Sequence, residues 1–474
     1  MKVEIGLIAL TLSCLVLDLF LPKEKSGRTL ANVAMAGVTF LFGLLCLEWG
    51  KFGYSFTSSF AQDGLAFCFK GILFIAAFFV LFMAREYQAQ LKRGKGEFIL
   101  LILLALIGAD FMASANDFLL FFVALETLSV SLYIMTAYLR DHESSIEAGV
   151  KYLILGALST AVFLYGLSFV YGATGSTNYL EIQNSFVSSG PLPASFIFGM
   201  ILIVASLGFK ISAVPFHLWV PDVYQGAPTP VTAFLATVSK TAGFAALIRL
   251  VLTVFAPAAE QLTLLFSALA ALTIIYGNLG AIPQTNIKRL LGYSSIGHAG
   301  YLLIGLAVPG LLGKEAILFY LLSYVFSTAC AFLVLVAMAG STKSDSVSEL
   351  AGLSKRSPAL AAAMLVSLMS LAGVPPFSGF FSKFYILWTC MRSGMIWLVI
   401  IGLLNVVTSL YYYLKVVKVM YADEPAVGSP VLQVSSQQKA MQFFAIGGIL
   451  VMGIFQGPFV RLAASALSSF ILIQ

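Results

Sequence analysis

The chain has 474 residues, of which 60% are hydrophobic and only 10% are charged, and its formal net charge is +6. Soluble globular proteins carry roughly 25% charged residues, so the composition excludes a soluble protein and indicates one that lies within lipid. A chain of this length often contains about three soluble domains, but no polar stretch here is long enough to form one. We therefore expect a single membrane domain over residues 1–474.

Apolar segments of span length follow one another along the chain. A helix needs about 20 apolar residues to cross a hydrocarbon core of ~30 Å. The alternating strands of about ten residues that form membrane barrels are absent, so the predicted fold class is an all-α polytopic membrane protein. About fourteen transmembrane helices are predicted, near residues 3–21, 30–48, 63–83, 97–114, 117–138, 147–171, 195–220, 229–253, 259–283, 290–308, 313–339, 358–391, 394–421 and 438–457.

The first segment, Val3 to Leu21, has the position of a signal peptide. Its apolar run is longer than a signal-peptide core and no small-residue cleavage site follows, so we interpret it as the first span. The cysteines lie far apart in apolar segments, which indicates buried small side chains rather than a disulfide framework or a metal cluster. They are Cys14, Cys46, Cys68, Cys330 and Cys390.

Basic residues are distributed unevenly between the connections. Lysine and arginine mark the cytoplasmic loops of membrane proteins. Even-numbered connections hold little beyond Lys51, Lys314 and Arg392, so both termini are predicted to face the outer side. The odd-numbered connections hold Lys23, Lys25, Arg28, Arg85, Lys92, Arg93, Lys95, Arg140, Lys288, Arg289, Lys343, Lys355 and Arg356.

Prolines interrupt the seventh segment at Pro215 and the twelfth at Pro375 and Pro376. Proline removes a backbone donor and breaks a helix, and membranes tolerate such a break where it is buried in protein or lines a water-filled cavity. Paired broken helices in corresponding halves of a chain point to a transport site. The two breaks share a Ser-Leu…Val-Pro…Phe pattern and lie five helices apart, so the two copies run in opposite directions.

An inverted repeat is therefore predicted, formed by helices four to eight and nine to thirteen. The predicted units are residues 1–96 for three N-terminal helices, 97–253 for the first repeat, 259–421 for the second repeat and 438–474 for the last helix and tail.

Ionisable side chains lie within these apolar segments, where each lysine costs ~2.5–3.5 kcal/mol on insertion. Lys210, Lys240, Lys383 and Glu126 would together cost on the order of 10 kcal/mol if they were unpaired, which indicates a function or a partner. Counted at ~1.5 Å per residue, Glu126, Lys210 and Lys240 lie near mid-bilayer, and Lys151 lies closer to the cytoplasmic side. A chain of titratable groups that passes protons is predicted, and a static ion pair is the alternative.

Lysine suits proton transfer because burial favours proton release and a nearby carboxylate opposes it, whereas arginine does not deprotonate. His217 and His298 are candidate proton relays, with a structural hydrogen bond as the alternative. Asp222 is interpreted as a helix cap. Lys70 and Asp110 lie nearer the ends of their segments, where snorkelling explains a charge.

Motifs for redox cofactors are missing from the sequence. It contains no GxGxxG, Walker loop, CxxC cluster or haem-like histidine pair. These are the patterns that bind nucleotides, flavins, iron–sulfur clusters and haem, so any redox chemistry is expected to belong to a partner.

Two stretches of sequence carry a family resemblance. The first combines Lys210 with Pro215-Phe216-His217-Leu218-Trp219-Val220-Pro221-Asp222 and Gly226-Ala227-Pro228-Thr229-Pro230-Val231. The second reads Lys288-Arg289-Leu290-Leu291-Gly292-Tyr293-Ser294-Ser295-Ile296-Gly297-His298-Ala299-Gly300-Tyr301. Together they resemble the signature of the antiporter-like subunits of respiratory complex I, and the second resembles the N-type branch in particular. The resemblance covers essentially the whole chain.

The resemblance implies fourteen helices with two inverted five-helix half-channels and discontinuous helices seven and twelve. It implies that Glu126 pairs with Lys210 and that Lys151, Lys240 and Lys383 also transfer protons. Within the family, lysine rather than histidine at position 240 argues against the L-type branch, and lysine rather than glutamate at position 383 argues against the M-type branch.

The implied function is proton translocation within the membrane arm of an NADH:quinone oxidoreductase, in a bacterial-type inner membrane. NADH, FMN, iron–sulfur clusters and quinone are implied in partner subunits, and no cofactor is expected in this chain. The expected partners are neighbouring antiporter-like and small membrane-arm subunits and the lipid bilayer, without nucleic acid. Two alternatives remain open: a subunit of a multisubunit cation/proton antiporter or membrane-bound hydrogenase, and a structural spacer with static charges.

Overall fold

The computed structural model describes residues 1–186, 192–340, 344–425, 432 and 434–471, so Lys343 and residues 472–474 of the predicted tail lie outside the described part. The N-terminal region consists of long helices and a hairpin whose two strands pair antiparallel. The bounds are α1 Lys2–Phe20, α2 Lys23–Leu47, β1 Gly53–Ser55, β2 Phe60–Gln62 and α3 Gly64–Glu86.

The following region carries the first break. A π-helical turn over Leu235–Ser239 joins its last two helices. The bounds are α4 Lys95–Ser114, α5 Phe118–Thr136, α6 Glu143–Thr174, α7 Tyr179–Ser185, α8 Ala194–Ile211, α9 Val220–Gly226, α10 Thr229–Phe234 and α11 Lys240–Leu252.

The remaining region carries the second break, between α16 and α17. The bounds are α12 Ala259–Ala281, α13 Ile287–Ala307, α14 Leu312–Met338, α15 Leu353–Arg356, α16 Pro358–Ala372, α17 Ser378–Arg392, α18 Ile396–Tyr421, α19 Ser436–Ile454 and α20 Gln456–Ile471.

Several helices begin where a polar side chain caps the first turn. Side-chain oxygens of Asp63, Asp117 and Asn286 accept hydrogen bonds from first-turn amides of α3, α5 and α13. Ser435 and Gln438 form a reciprocal capping box at the start of α19. These side chains satisfy amide donors that a helix start leaves without intrahelical partners, and they fix where each span begins.

Twelve helices of the described residues are long and apolar enough to cross a membrane, or thirteen if the bent pair α19 and α20 is counted as one span. The pair α16 and α17 forms the predicted twelfth segment, and each member has only 15 residues. Every predicted segment therefore coincides with a helix or a broken pair, and the all-α class is confirmed. α20 turns by 83° from α19, so the predicted apolar tail leaves the direction of the last span.

The most buried spans lie at the centre of the bundle. The stretch Thr229–Leu252 and the helices α13 and α14 are almost wholly buried, whereas α1, α2, α6 and α18 expose many of their apolar side chains. Lipid tails are as apolar as leucine, so such exposed faces suit a bilayer or a neighbouring membrane subunit. The central spans are the ones that carry Lys240 and His298.

Glycine allows α12 and α13 to pack closely. A Cβ added at Gly277 would lie 2.4 Å from the backbone nitrogen of Gly297, and one added at Gly300 would lie 2.5 Å from the Ile274 side chain. Small residues let membrane helices approach one another in this way. The close contact fixes the face of α13 on which His298 lies.

Candidate proton-transfer site

Lys210 is the penultimate residue of α8 and lies directly before the first break. Ser212 ends this helix in a left-handed conformation with φ 70°. Lys210 is only 5% exposed, and its Nζ donates a hydrogen bond to Ser129 Oγ on α5 at 3.0 Å. The hydrogen-bond partner of this buried lysine is therefore a neutral hydroxyl.

The break between α8 and α9 is partly buried, and two of its N–H groups donate hydrogen bonds. The Val214 amide donates to Thr273 Oγ1 on α12 at 3.0 Å, and the Trp219 indole donates to the Phe209 carbonyl at 3.0 Å. Irregular backbone at membrane depth requires such partners. The break contains the cis bond Val214–Pro215, and the second break contains the cis bond Pro375–Pro376.

Glu126 on α5 is half-buried, and its Oε1 accepts a 2.8 Å hydrogen bond from Thr160 Oγ1 on α6. Among the described residues it makes no direct ion pair with Lys210, so the implied pairing is indirect in this structure. A polar cavity of about 10 Å³ lies between Lys210, Ser129, Ser159 and Thr160. A space of ~10–15 Å³ holds one water, so hydroxyls and room for a single water separate the acid from the lysine.

Lys240 is the first residue of α11 and follows the π-helical turn, a rare feature that is frequent at functional sites. It is 1% exposed, and its Nζ donates to the carbonyl oxygen and to Oγ of Ser295 on α13, each at 2.5 Å. The Tyr324 hydroxyl donates to the same Oγ at 3.0 Å, and the Tyr224 hydroxyl lies 3.3 Å from it. The second lysine therefore belongs to a buried cluster of hydroxyls.

His298 lies one turn beyond Ser295 on α13. Its Nδ1 is 2.6 Å from the Tyr320 hydroxyl and its Nε2 is 3.4 Å from the Tyr413 hydroxyl. Tyr413 also hydrogen-bonds Ser294. A relay must accept a proton at one ring nitrogen and release it from the other, and both nitrogens of His298 have a hydroxyl partner.

Lys383 on α17 follows the second break. Its Nζ donates to the carbonyl of Ala372, the last residue of α16, at 3.0 Å and to Ser409 Oγ on α18 at 3.5 Å. Nζ also lies 5.1 Å from the centre of the Tyr301 ring, a cation–π distance. The final carbonyls of a helix carry partial negative charge and lack intrahelical donors, so the end of α16 supplies a dipole to this lysine.

Serine hydroxyls surround the second break, and none of these serines is among the site residues predicted from the sequence. Ser323 Oγ donates to Ser378 Oγ at 2.8 Å, and the hydroxyls of Ser327 and Ser370 lie 2.8 Å apart. Gly373, with φ 86°, ends α16 beside them. Residues four apart share a helix face. The pair Ser323 and Ser327 in an apolar helix was therefore the sequence feature that could have indicated these hydroxyls.

A family profile described as "NADH:quinone oxidoreductase/Mrp antiporter, TM" matches residues 115–409. The chain belongs to this family. NADH-quinone oxidoreductase subunit N of Desulforamulus reducens is 41% identical over 469 residues, which are 99% of this chain and 98% of the relative. The site residues described above from α5 to Lys383 lie within the matched range.

Solved structures share the fold along the whole chain. A chain of respiratory complex I from Thermus thermophilus with bound aureothin is 33% identical, with a TM-score of 0.82 and coverage of 98% of this chain and 99% of that chain. A chain of the Mrp complex from Dietzia sp. has a TM-score of 0.87 at 20% identity, covering 98% and 96%. The second likeness concerns the fold alone.

Lys151 belongs to a cluster of direct ion pairs. Its Nζ contacts Glu147 at 2.6 Å and Asp222 at 2.7 Å, and Arg289 contacts the other Asp222 oxygen at 2.6 Å. The interpretation of Asp222 as a helix cap is wrong, because these two cations rather than helix amides hold its carboxylate. Partial burial raises the pKa of Asp222, but hydrogen bonds from Lys151 and Arg289 outweigh burial and hold the pKa below its ordinary value.

His217 is buried in the first break, away from the hydroxyl networks. Neither ring nitrogen has a hydrogen-bond partner among the described residues. Its ring packs edge-on against Tyr276 with the ring centres 4.3 Å apart. The structure therefore joins His298 to a hydroxyl network and leaves His217 outside it.

Lys70 and Asp110 do not snorkel. Lys70 on α3 is 2% exposed and Asp110 on α4 is 0% exposed. Lys70 Nζ hydrogen-bonds Glu4 on α1 and lies 3.9 Å from Asp110 Oδ2. The prediction was wrong because nearness to a helix end was taken for access to water, whereas neighbouring helices cover this position.

Metal ligands are not clustered in the part of the chain that the structure describes: no group of three or more histidine, cysteine, aspartate or glutamate side chains is placed to hold an ion. All five cysteines are free, and Cys14, Cys330 and Cys390 are buried.

Proposed function

We propose that this chain is an N-type antiporter-like subunit of the membrane arm of an NADH:quinone oxidoreductase and that it moves protons across the bilayer. The proposal rests above all on one observation. Among the residues that the structure describes, three buried lysines, Lys210, Lys240 and Lys383, each donate only to hydroxyl or carbonyl oxygens. A buried ammonium without a contacting counter-ion is costly, so its proton is available for transfer.

Glu126 acts on Lys210 through the hydroxyls between them. When the carboxylate swings toward the cavity beside Thr160, or a water bridges the two groups, the charged form of Lys210 is favoured. When the carboxylate moves away, the charged form of Lys210 is no longer favoured, and Lys210 gives its proton to the next group of the path. Lys151, held by Glu147 and Asp222, is the member of the proposed path nearest the predicted cytoplasmic end.

Lys240 receives the proton from the first half of the path. The stem of Lys210 packs on α11 at Gly243, where an added Cβ would lie 3.6 Å from Lys210 Cγ. Gly243 lies one turn from Lys240, so the two lysines share one helix–helix contact. A water completes the step between their nitrogen atoms.

His298 continues the path, because its two nitrogens contact Tyr320 and Tyr413 while the neighbouring Ser295 contacts Lys240. Lys383 governs exchange with the far side. His217, whose ring nitrogens have no hydrogen-bond partner among the described residues, is assigned a place in the packing of the first break rather than in the path.

The two breaks define the proposed architecture of the path. Residues 97–253 and 259–421 form the two inverted half-channels, each opened by its break, with residues 1–96 and 438–474 outside them. The breaks lie at Pro215 and at Pro375 and Pro376. The termini lie on the outer side of a bacterial plasma membrane.

Energy for the transport comes from partner subunits. Those subunits carry NADH, FMN, iron–sulfur clusters and quinone, and this chain holds no redox centre. Neighbouring antiporter-like and small membrane-arm subunits flank it. A multisubunit antiporter is the rival assembly, since the Mrp chain shares the fold, but sequence identity is 41% to the subunit N relative and 20% to that chain.

Purification of the tagged chain with its native partners separates these assemblies. We expect mass spectrometry to identify subunits of a flavin- and iron–sulfur-containing arm. A complex of membrane subunits alone would assign the chain to an antiporter instead.

Substitution of Lys210 by alanine in the assembled complex tests proton transfer. We expect Lys210→Ala to abolish or strongly reduce proton pumping while the complex still assembles. A spacer with static charges would assemble and pump normally, and that result would overturn the proposal.

A further inference from the structure

A third group of buried ionisable side chains joins two N-terminal helices to the first helix of the first half-channel. It consists of Glu4 on α1, Lys70 on α3 and Asp110 on α4, and we call it the N-terminal cluster. All three residues are at most 2% exposed. None of them lies on the helices that carry Lys210, Lys240 or Lys383.

Lys70 is already bonded within this cluster. Its Nζ hydrogen-bonds Glu4 Oε1 and lies 4.9 Å from the centre of the Phe60 ring, a cation–π distance. Phe60 belongs to β2, so the hairpin covers the lysine from one side. The positive charge of Lys70 is therefore compensated by Glu4 before Asp110 is considered.

Asp110 has no comparable partner. Both carboxyl oxygens are buried and neither has a hydrogen-bond partner among the described residues. Its nearest cation is Lys70, whose Nζ is 3.9 Å away, beyond hydrogen-bond distance. An ionised carboxylate in such a place is far more costly to bury than a neutral acid group.

The other charged groups near the cluster do not supply Asp110 with a contacting cation. The amino group of Met1 lies 3.1 Å from Glu4 Oε2 and is partly exposed. Arg249 on α11 reaches the Ala113 carbonyl near the end of α4, but its guanidinium is held by Asp63 at 2.7 Å. The cations of α2 lie at the start of that helix, at the far end of the bundle from this cluster. The acid of α5, Glu126, is bonded to Thr160 instead.

We propose that the N-terminal cluster is a third proton-binding site, in which Glu4 and Asp110 share one exchangeable proton that resides mainly on Asp110. With that proton the cluster holds one ammonium, one carboxylate and one neutral acid. The proton leaves Asp110 when Lys70 moves from Glu4 to Asp110, and Glu4 then becomes the acceptor. The site binds a proton without contributing a residue to the proposed path.

Infrared spectroscopy of the purified assembled complex tests this site without reference to pumping. A protonated carboxyl has its own carbonyl-stretch band, which shifts when the sample is transferred from H₂O to D₂O. At neutral pH we expect Asp110→Asn to remove the band of one protonated carboxyl per chain. We expect Glu4→Gln to remove it as well, because Lys70 then becomes the counter-ion of Asp110.

Two further variants complete the design. Lys70→Met removes the cation, so a second protonated carboxyl is expected. Glu48→Gln is the control: hydrogen bonds from Lys51 and Lys2 lower the pKa of Glu48 to about 2, so it is ionised at neutral pH and the band should not change. If the spectra of Asp110→Asn and Glu4→Gln both match the unsubstituted complex, the cluster is a static ion triad and the proposal fails. Because pumping is not the readout, this failure leaves the proposed function untouched.

Discussion

Lys210, Lys240 and Lys383 donate to hydroxyls and carbonyls, whereas Arg249 is held directly by the carboxylate of Asp63. The difference separates two uses of a buried or half-buried charge. A carboxylate in contact fixes a cation in its charged form and ties helices together. Neutral oxygens hydrogen-bond an amine in either protonation state, so the proton is free to leave.

Removal of a cation that a carboxylate holds should affect stability and not transport. Arg249 contacts Asp63 through both oxygens and is 2% exposed. We expect Arg249→Met to lower the stability of the chain by about 3–5 kcal/mol, because it leaves a buried carboxylate without its cation. The thermal release of this chain from the purified complex measures the effect.

The control for that variant is Lys355→Met, which removes an exposed pair with Glu424. Exposed pairs contribute about 0–1 kcal/mol, so little change is expected. Equal losses of stability for the two variants would show that the buried Asp63–Arg249 pair stabilises the chain no more than an exposed pair does.

A central lysine should affect transport instead. We expect Lys240→Met to lower the proton-pumping rate by at least about tenfold, a barrier increase of ~1.4 kcal/mol, because the group that carries the proton beside Ser295 is gone. Pumping by the complex in proteoliposomes is the measurement.

Lys314→Met provides the matched control. Lys314 is also buried and donates to carbonyls, those of Leu306 and Val308, but it closes the end of α13. We expect Lys314→Met to reduce the stability of the chain and to leave proton pumping per assembled complex unchanged. A loss of pumping as large as that of Lys240→Met would contradict the assignment of the path.

The acid of the first half-channel should have a smaller effect. Thr160→Val removes the hydroxyl that donates to Glu126 with little change in shape. A hydrogen bond to a charged group contributes about 1.5–3 kcal/mol, but Glu126 is only partly buried, so we expect pumping to fall only several-fold. Thr127→Val, whose hydroxyl bonds the carbonyl of Val123 in its own helix, should pump normally, and equal losses would remove Glu126 from the account.

The smallest effect concerns pH and the Asp222 ion pairs. Because the pKa of Asp222 is lowered in the fold, its pairs stabilise the chain above the unfolded pKa of about 3.9, and this contribution is lost as pH falls through the lower folded pKa. Asp222 is 34% exposed, and partly exposed pairs contribute about 1 kcal/mol or less. We expect Asp222→Asn to reduce thermal stability slightly at neutral pH and not at all in strong acid. A difference that grows with acidity would contradict this sign.

The spans and both breaks were predictable because each depends on residues adjacent in sequence. Length and apolarity decide a span, and Pro215 or Pro375 decides a break. The partners of the lysines were not predictable in this way. Ser129 is 81 residues from Lys210, and Ser295 is 55 residues from Lys240, so each contact exists only after the helices have packed.

The same reason explains the errors. Asp222 stands where a helix begins, which suggested a cap, but cations from α6 and α13 reach it only in the folded chain. Asp110 stands near the end of α4, which suggested water, but α1 and α3 cover it. Position along a helix indicates depth, and it does not indicate what lies beside the residue.

The central claim is that the mid-bilayer lysines give up their protons. The most direct measurement is the proton-to-electron ratio of the assembled complex with Lys210→Arg, which keeps the positive charge but does not deprotonate. We expect the ratio to fall clearly below that of the unsubstituted complex, with a normal ratio for Lys288→Arg, since Lys288 is paired with Asp345. A normal ratio for Lys210→Arg in a fully assembled complex would show that charge alone suffices and would contradict the account.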